Sequence, residues 1–359
     1  MHLHVTEHQA QSKICPCGAR TTAVFPESVK GPVQIGDTLR AFTVLLGQHH
    51  VAKDRISEII ESLFGIAVSD TSIQKYEEQA DKNLKVLHTQ LYDHIARADV
   101  KHADETGVRV GGSTHWLHTL STSWLTYLWY SPKRKCALTG LNGKLVHDNF
   151  TSYECLADVE HIYCNAHHLR ELCAVFEQDN EAWAYHMHQL LREMCHATHL
   201  YGSLANKQIS AFKDAYDRLV TQGITYHERL DPLARSDKKK QRGRLKRRRG
   251  HNLALRFRIK REGILMFLND PSVPFTNNQA ERDLRPVKIQ QKVSGCFRTS
   301  SGAERYAAIR SFVSTLRKLG LDVWTWLQKA IKQPILWHDI QLALCSTYRA
   351  LPAPSSPAL

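Results

Sequence analysis

"GKLVHDNFTSYECLADVEHIYCNAHH", residues 143–168, contains two short apolar runs with a few polar residues between them. "GKLVHDNF" reads as a strand ending at Asp148, "TSYECLAD" as a short helix, and "VEHIYCNAHH" as a second strand. Strand, helix, strand at this spacing is a parallel crossover, so these two strands belong to a sheet covered by helices.

Upstream, "DVKHADETGVRV" alternates from Asp99 to Val110, and Gly111-Gly112 is a hairpin signal. "THWLHTLSTSWLTYLWY" supplies two further β-rich runs, which makes a three-stranded meander. With the crossover strands as fourth and fifth, the sheet is predicted to be mixed. If the first and fourth strands are neighbours, Asp104 on the first and Asp148 at the carboxyl end of the fourth converge at one sheet edge. A third carboxylate, Glu281, sits in "TNNQAER" at the start of a later helix. Three converging carboxylates repel one another unless a cation lies between them, and hard oxygen ligands favour magnesium or manganese. Two such ions, about 3.5–4 Å apart, activate a water or hydroxyl and stabilise the leaving oxygen in phosphoryl transfer. Glu105 points to the other face of its strand and is left out of this set.

Around Glu281, Thr276 can cap the helix, Asn277 and Asn278 can hydrogen-bond loop backbone or phosphate, and Ala280 and Leu284 face the core. Arg282, Arg285 and Lys288 place positive charge beside this carboxylate, suited to a phosphate group. The plainer reading is a surface helix with an internal Glu281–Arg285 pair. Cys164-x-x-His167 has zinc-ligand spacing, with Cys173 or His168 as further candidates; a buried cysteine beside a hydrogen-bonding histidine is the alternative.

Before the sheet, residues 35–95 are helical in pattern. Leu39, Phe42, Leu45 and Leu46 mark one helix, and Ile56, Ile59, Ile60, Leu63 and Phe64 a second that Gly65 ends. Ser69 or Asp70 caps a third, through Ile73, Tyr76, Leu84, Leu87 and Leu91. This is the layout of a helix-turn-helix and also of a plain helical hairpin. As a DNA-binding motif it would present Thr71, Gln74 and Lys75 to base edges. After the fifth strand, "LRELCAVFEQ", "AWAYHMHQLLREMCHATHLY" and "HNLALRFRIKREGILMFLND" read as helices, the last as one continuous helix. "NNQAERDLRPVKIQQ" resumes the pattern, interrupted by Pro286, and "LPAPSSPAL" has the composition of a disordered end.

The 359 residues carry a net charge of +13, which points to a polyanionic partner, nucleic acid first. Ten basic residues against one Asp lie between Arg235 and Arg249, so this segment supplies +9 of that excess. Lys238, Lys239, Lys240, Arg242, Arg244, Lys246, Arg247, Arg248 and Arg249 are its candidate phosphate contacts. A solvated loop without a partner is the alternative. No apolar run reaches bilayer length, and the first residues lack the apolar centre of a secretory signal, so a cytoplasmic protein is expected. Nine cysteines, an odd number, read as reduced thiols or metal ligands.

"HADETGVRV", "LVHDNFTSY", "CNAHHLREL", "VPFTNNQAERDLRPVKIQQKVSGCFRT" and "GAERYAAIRSF" resemble the DDE transposases of the insertion-sequence 66 family. The resemblance runs from about residue 15 to residue 330. It implies a ribonuclease H-like catalytic core with a large helical insertion, preceded by a helix-turn-helix domain, in a mixed α and β architecture. It implies Asp104, Asp148 and Glu281 as the catalytic triad, magnesium as cofactor, transposon-end and target DNA as substrates, a homo-oligomer, and accessory proteins encoded alongside. Cys164 and His167 resemble a Cys-x-x-His signature of several such enzymes, and Cys15-Pro16-Cys17 resembles the remnant of an N-terminal zinc-binding segment. One residue between those cysteines and no second pair argue against a complete zinc finger there.

The implied domains are residues 1–34, the zinc-segment remnant; 35–96, helix-turn-helix; 97–165, first part of the core; 166–270, helical insertion; 271–335, last part of the core; and 336–359, tail. Two departures from the family pattern stand out. The region ahead of the helix-turn-helix is short, as in a short variant or a truncated copy. "SPKRKCALTGLNG", 131–143, leaves room for little more than one helical turn where a full helix normally covers the sheet, so exposed sheet surface and a displaced Asp148 are expected. A copy that only binds DNA is the alternative to an active enzyme.

Overall fold

The structure is a computed structural model that describes residues 4–29, 31–135, 138–233 and 246–350, the side chains of 346–350 excepted. The chain divides into two compact units, Met1–Leu87 with Gly320–Leu359, and His88–Leu319.

The first unit begins with β1 (Ser12–Ile14) and β2 (Arg20–Thr22), an antiparallel pair joined by the turn that carries Cys15 and Cys17. Then come α1 (Asp37–Gln48), α2 (Lys53–Phe64) and α3 (Asp70–Ala96), the last continuing into the second unit. Gly65 ends α2 at φ 66°, a left-handed position that glycine takes without strain. The Ser69 hydroxyl accepts the Ser72 N–H at 3.2 Å, capping α3 as anticipated. Ile56, Ile60, Val68 and Ile73 form the core between these helices, with Leu39, Phe42 and Tyr76 packed on it.

The second unit is built on a five-stranded sheet: β3 (Val100–Val110), β4 (Ser113–Ser121), β5 (Thr126–Ser131), β6 (Lys144–His147) and β7 (Glu160–Tyr163). Its order is β5-β4-β3-β6-β7, with β3, β4 and β5 antiparallel and β6 parallel to both β3 and β7. The sheet is therefore mixed, with the first and fourth strands adjacent. The one-turn helix α4 (Thr151–Glu154) makes the crossover. β7 stops at Tyr163, earlier than expected, because Cys164 already caps α5 (Asn165–Asp179).

The remaining helices are α6 (Ala182–Tyr201), α7 (Asn206–Glu228), α8 (Arg249–Ile259), α9 (Arg261–Asn269), α10 (Asn278–Ser294) and α11 (Ser300–Lys318). The helix expected over 251–270 is two, separated at Lys260, whose backbone leaves the helical region at φ −100°, ψ 16°. Helix α10, by contrast, runs through Pro286. Leu284 and Val287 on either side of it are buried against β3, β4 and α11. Burying two such side chains contributes about 3–6 kcal/mol, enough to offset the roughly 3 kcal/mol that an internal proline costs.

One face of the sheet is covered by α10 and α11, where the Ser311 hydroxyl accepts the Leu128 N–H. The other face is covered by the end of α3, through Tyr92, Ile95 and Ala96, and by Leu138 and Leu141 of the short connection. The expected exposed surface is thus occupied: helix α3 supplies the cover that residues 131–143 are too short to give. Helices α5 to α9 form a separate core around Trp183, Met187, Leu191, Tyr216 and Phe257, which reaches the sheet at Ile162 and Tyr163. Gly263 permits this approach, since a Cβ there would lie 2.1 Å from the His161 carbonyl oxygen. The first unit is completed by α12 (Val323–Lys332) and α13 (Trp337–Ala350), so much of the expected tail is helical. Asn83 of α3 donates to the Ala330 carbonyl at 2.8 Å, and Phe42 meets Trp324 edge to face. No helix among the described residues is long and apolar enough to cross a membrane.

Candidate functional site

Asp104 and Asp148 are placed by strand register. The last paired position of β3 with β6 is His102 opposite Val146. Asp104 lies two residues beyond the first and Asp148 two beyond the second, so both stand at the same level past the end of the pairing, on strands about 4.8 Å apart. Asp104 accepts the Glu105 N–H at 2.9 Å and Asp148 accepts the Phe150 N–H at 2.9 Å, which fixes each carboxylate against its own backbone.

Glu281 occupies the first turn of α10, and the start of that helix is tied to the sheet by Asn277. The Asn277 amide donates to the Ala103 carbonyl at 2.8 Å, and its oxygen lies 2.9 Å from His102 Nδ1. Both partners immediately precede Asp104. Asn277 is 1% exposed, so its side chain is a structural tie and is closed to phosphate; of the two roles anticipated for it, the backbone contact is the one present. Asn277 holds the cap position without a side-chain bond to the helix, and the Thr276 hydroxyl, one residue earlier, accepts the N–H of the first helical residue, Asn278, at 3.4 Å. Asn278, Arg282, Arg285 and Lys288 are exposed along α10.

The three carboxylates act on one another. The Asp104 carboxyl is pushed up to about 7, first by burial and then by the negative charges of Glu105, Asp148 and Glu281. Negative charge gathered at a half-buried acid suits a cation, and oxygen donors suit a hard ion, but among the described residues the oxygens of Asp104, Asp148 and Glu281 do not all lie within 4.8 Å of one another. Glu105 faces away: Arg134 donates to it at 2.9 Å and the Tyr153 hydroxyl at 2.7 Å. Arg134 also stacks over Phe150, 4.0 Å from the ring centroid.

An open groove of about 330 Å³ leads to Asp148, lined by Arg134, Asn149, Phe150, His167, Arg170 and Glu171. Arg170 lies 3.8 Å from Glu281, so among the described residues the ion-pair partner of Glu281 is on α5 and is not Arg285 of its own helix. Lys260, at the break between α8 and α9, donates to Asn149 at 3.1 Å and to Glu154 at 2.6 Å, bracing the loop after Asp148. Arg134, Arg170 and Lys260 were not anticipated. A signal for Arg170 was present, since His167 and Arg170 are three apart on one helical face.

Cys164 and His167 come together with Glu281, not with the further ligands anticipated. Their donor atoms all lie within 4.8 Å of one another. His168 is excluded, being fully buried with Nε2 accepting from Asn149 at 2.9 Å and Nδ1 on the Asn165 oxygen at 3.1 Å. Cys173 donates to Glu177 instead. Cys15 and Cys17 are exposed on their hairpin, and among the described residues no third ligand joins them.

Thr71, Gln74 and Lys75 are exposed on the first turns of α3. In the basic segment, Lys238, Lys239, Lys240, Arg242 and Arg244 lie outside the described residues. Lys246 is exposed and Arg247 partly so. Arg248 and Arg249, expected at phosphates, are engaged within the protein. Arg248 donates to the Asp231 carbonyl, and Arg249 to the Ala174 carbonyl and the Gln178 and Asp179 side chains near the end of α5, where a cation also meets the negative end of the helix dipole.

A basic chain with a carboxylate cluster at the edge of a mixed sheet falls within the transposases: residues 33–305 match a family model of that class. The model is described as "Transposase IS66 family", and the chain belongs to this family. DNA transposition, DNA binding and a general use of divalent metals come with that membership. No curated protein matches the sequence.

Proposed function

We propose that the chain cleaves transposon ends and transfers their 3′-hydroxyl strands to target DNA, with Asp104, Asp148 and Glu281 as the catalytic carboxylates on a ribonuclease H-like core. The observation that carries this is the shared register level of Asp104 and Asp148 beyond His102 and Val146, with Glu281 tied above them through Asn277. The sheet order β5-β4-β3-β6-β7 supports the same reading.

Asp104, Asp148 and Glu281 would hold two magnesium ions. When bound, these activate the attacking water or hydroxyl and stabilise the departing oxygen. The protein's own residues orient and neutralise. Asn277 fixes the start of α10, and with it Glu281, against β3. Arg134 neutralises Glu105, so that its charge adds less to the repulsion at Asp104. Arg170 and the groove beside Asp148 receive the phosphate backbone, while Asn278, Arg282, Arg285, Lys288 and the basic segment extend that contact. Helices α2 and α3 serve as a helix-turn-helix that presents Thr71, Gln74 and Lys75 to base edges.

The test is product analysis with labelled DNA from both borders of the gene's own element, in magnesium, with target DNA and any proteins encoded alongside. Joined product supports strand transfer. Hydrolysed ends alone would reduce the activity to a nuclease, and binding without cleavage would leave only a DNA-binding protein.

A further inference from the structure

The Cys164–His167–Glu281 cluster differs chemically from the carboxylates beside it. Its sulfur is built into a position where several backbone N–H groups point at it. Cys164 caps α5, and its Sγ accepts the N–H of Asn277, the cap of α10, at 3.1 Å. Backbone N–H groups of Ala166 and His167 face the same sulfur. Two helix N-termini therefore direct their positive ends at one atom. The burial that otherwise keeps the thiol protonated is the condition a metal reverses.

His167 supplies the second observation. Its Nδ1 is buried without a hydrogen-bond partner in the structure. A ring with a buried nitrogen left unpaired, in a residue that offers a donor atom to the sulfur and carboxylate cluster, fits a ligand set before its ion is bound. Tetrahedral zinc spaces its ligand atoms about 3.3–3.7 Å apart, so separations within 4.8 Å close with side-chain shifts of about 1 Å. Glu281 is free to make such a shift, because its contact to the exposed Arg170 is a loose 3.8 Å.

We propose that Cys164, His167 and Glu281 bind a soft divalent cation of the zinc class, at a position separate from the hard-ion position of Asp104 and Asp148. Sulfur and imidazole select zinc over magnesium, and three protein ligands leave a fourth position for water. Binding releases the Cys164 proton to solvent. It also draws Glu281 toward α5, so zinc opposes the use of that carboxylate beside Asp104. Only this consequence rests on the function proposed above; the site itself does not.

Cobalt(II) is the probe, added to the full chain carrying Cys15→Ser and Cys17→Ser, which removes the exposed hairpin thiols. The expected result is thiolate-to-cobalt absorption saturating at one equivalent, displaced by zinc and not by a hundredfold excess of magnesium. Cys164→Ser is expected to abolish that absorption. His167→Ala keeps it but weakens cobalt binding at least about tenfold, and this second variant carries the test if Cys164→Ser fails to fold. Asp104→Asn is expected to leave the absorption intact while abolishing magnesium-dependent cleavage, so the two readings fail separately. Absence of thiolate absorption at saturating cobalt, its survival in Cys164→Ser, or unchanged affinity in His167→Ala would each overturn the site.

Discussion

Asp104→Asn is expected to stabilise the metal-free protein at alkaline pH while destroying its cleavage activity. The native carboxyl sits at about 7 against an ordinary 3.8. Between those values the folded chain holds a proton that the unfolded chain has released, so stability falls as pH rises from about 4 to 7, and the full deficit is present above 7. Three units at about 1.36 kcal/mol each give a deficit of about 4 kcal/mol as an upper limit. Asparagine keeps an oxygen for the Glu105 N–H and carries no charge. The variant is therefore expected to melt somewhat higher than wild type at pH 5, where about a third of the deficit is already present, and higher still at pH 8, by up to about 10 °C for a unit of this size. The assay is thermal unfolding with chelator across that range, followed by magnesium addition at pH 8, which should raise the wild type more than the variant. Equal melting temperatures at pH 8, or a variant less stable there than at pH 5 relative to wild type, would refute the idea that converging buried charge makes this a cation site.

Asn277→Ala removes both ties to β3 and leaves the Ala103 carbonyl and His102 without them; a loss of about 2–4 kcal/mol is expected by denaturant unfolding, with reduced cleavage. His102, His118 and His147 are held down to about 4 and His168 to about 3, all chiefly by burial. They stay neutral in the fold while the unfolded chain gains protons below about 6.5, so the melting temperature should drop between pH 6.5 and 4.5. Gly263→Ala places a Cβ 2.1 Å from the His161 oxygen and should cost about 1–3 kcal/mol or more in thermal unfolding. Replacing Arg282, Arg285 and Lys288 together by Ala should weaken DNA binding and lower its salt dependence, read from dissociation constants at several salt concentrations; an unchanged slope would remove α10 from the DNA path.

The strands were legible because period-2 runs, the Gly111-Gly112 pair and a crossover of fixed length leave few arrangements open, and from them the level of Asp104 and Asp148 followed. What replaces the shortened 131–143 connection was not legible. The apolar end of α3 reads as the tail of an N-terminal helix, and nothing local tells that Tyr92 and Ile95 turn to the sheet. Asn277 looked like a surface polar residue because its partners, His102 and the Ala103 carbonyl, are far away in sequence and one of them is backbone. For the same reason Glu281 was matched to the aspartates alone; its closeness to Cys164 depends on two helix starts meeting, with 113 positions between Asn277 and Cys164. Arg248 and Arg249 show the limit of charge-run reasoning. The run marks where charge is concentrated, but two of its arginines are taken up within the protein, Arg248 by the Asp231 carbonyl and Arg249 by the last turns of α5.

The most direct measurement is magnesium-dependent strand cleavage of the element's own end DNA, by wild type and by Asp104→Asn, Asp148→Asn and Glu281→Gln, each at a concentration giving equal DNA occupancy. The account predicts cleavage by wild type and a loss of at least about a hundredfold in each variant, in keeping with the cost of misplacing catalytic groups. Cleavage that survives any one of the three substitutions would contradict it.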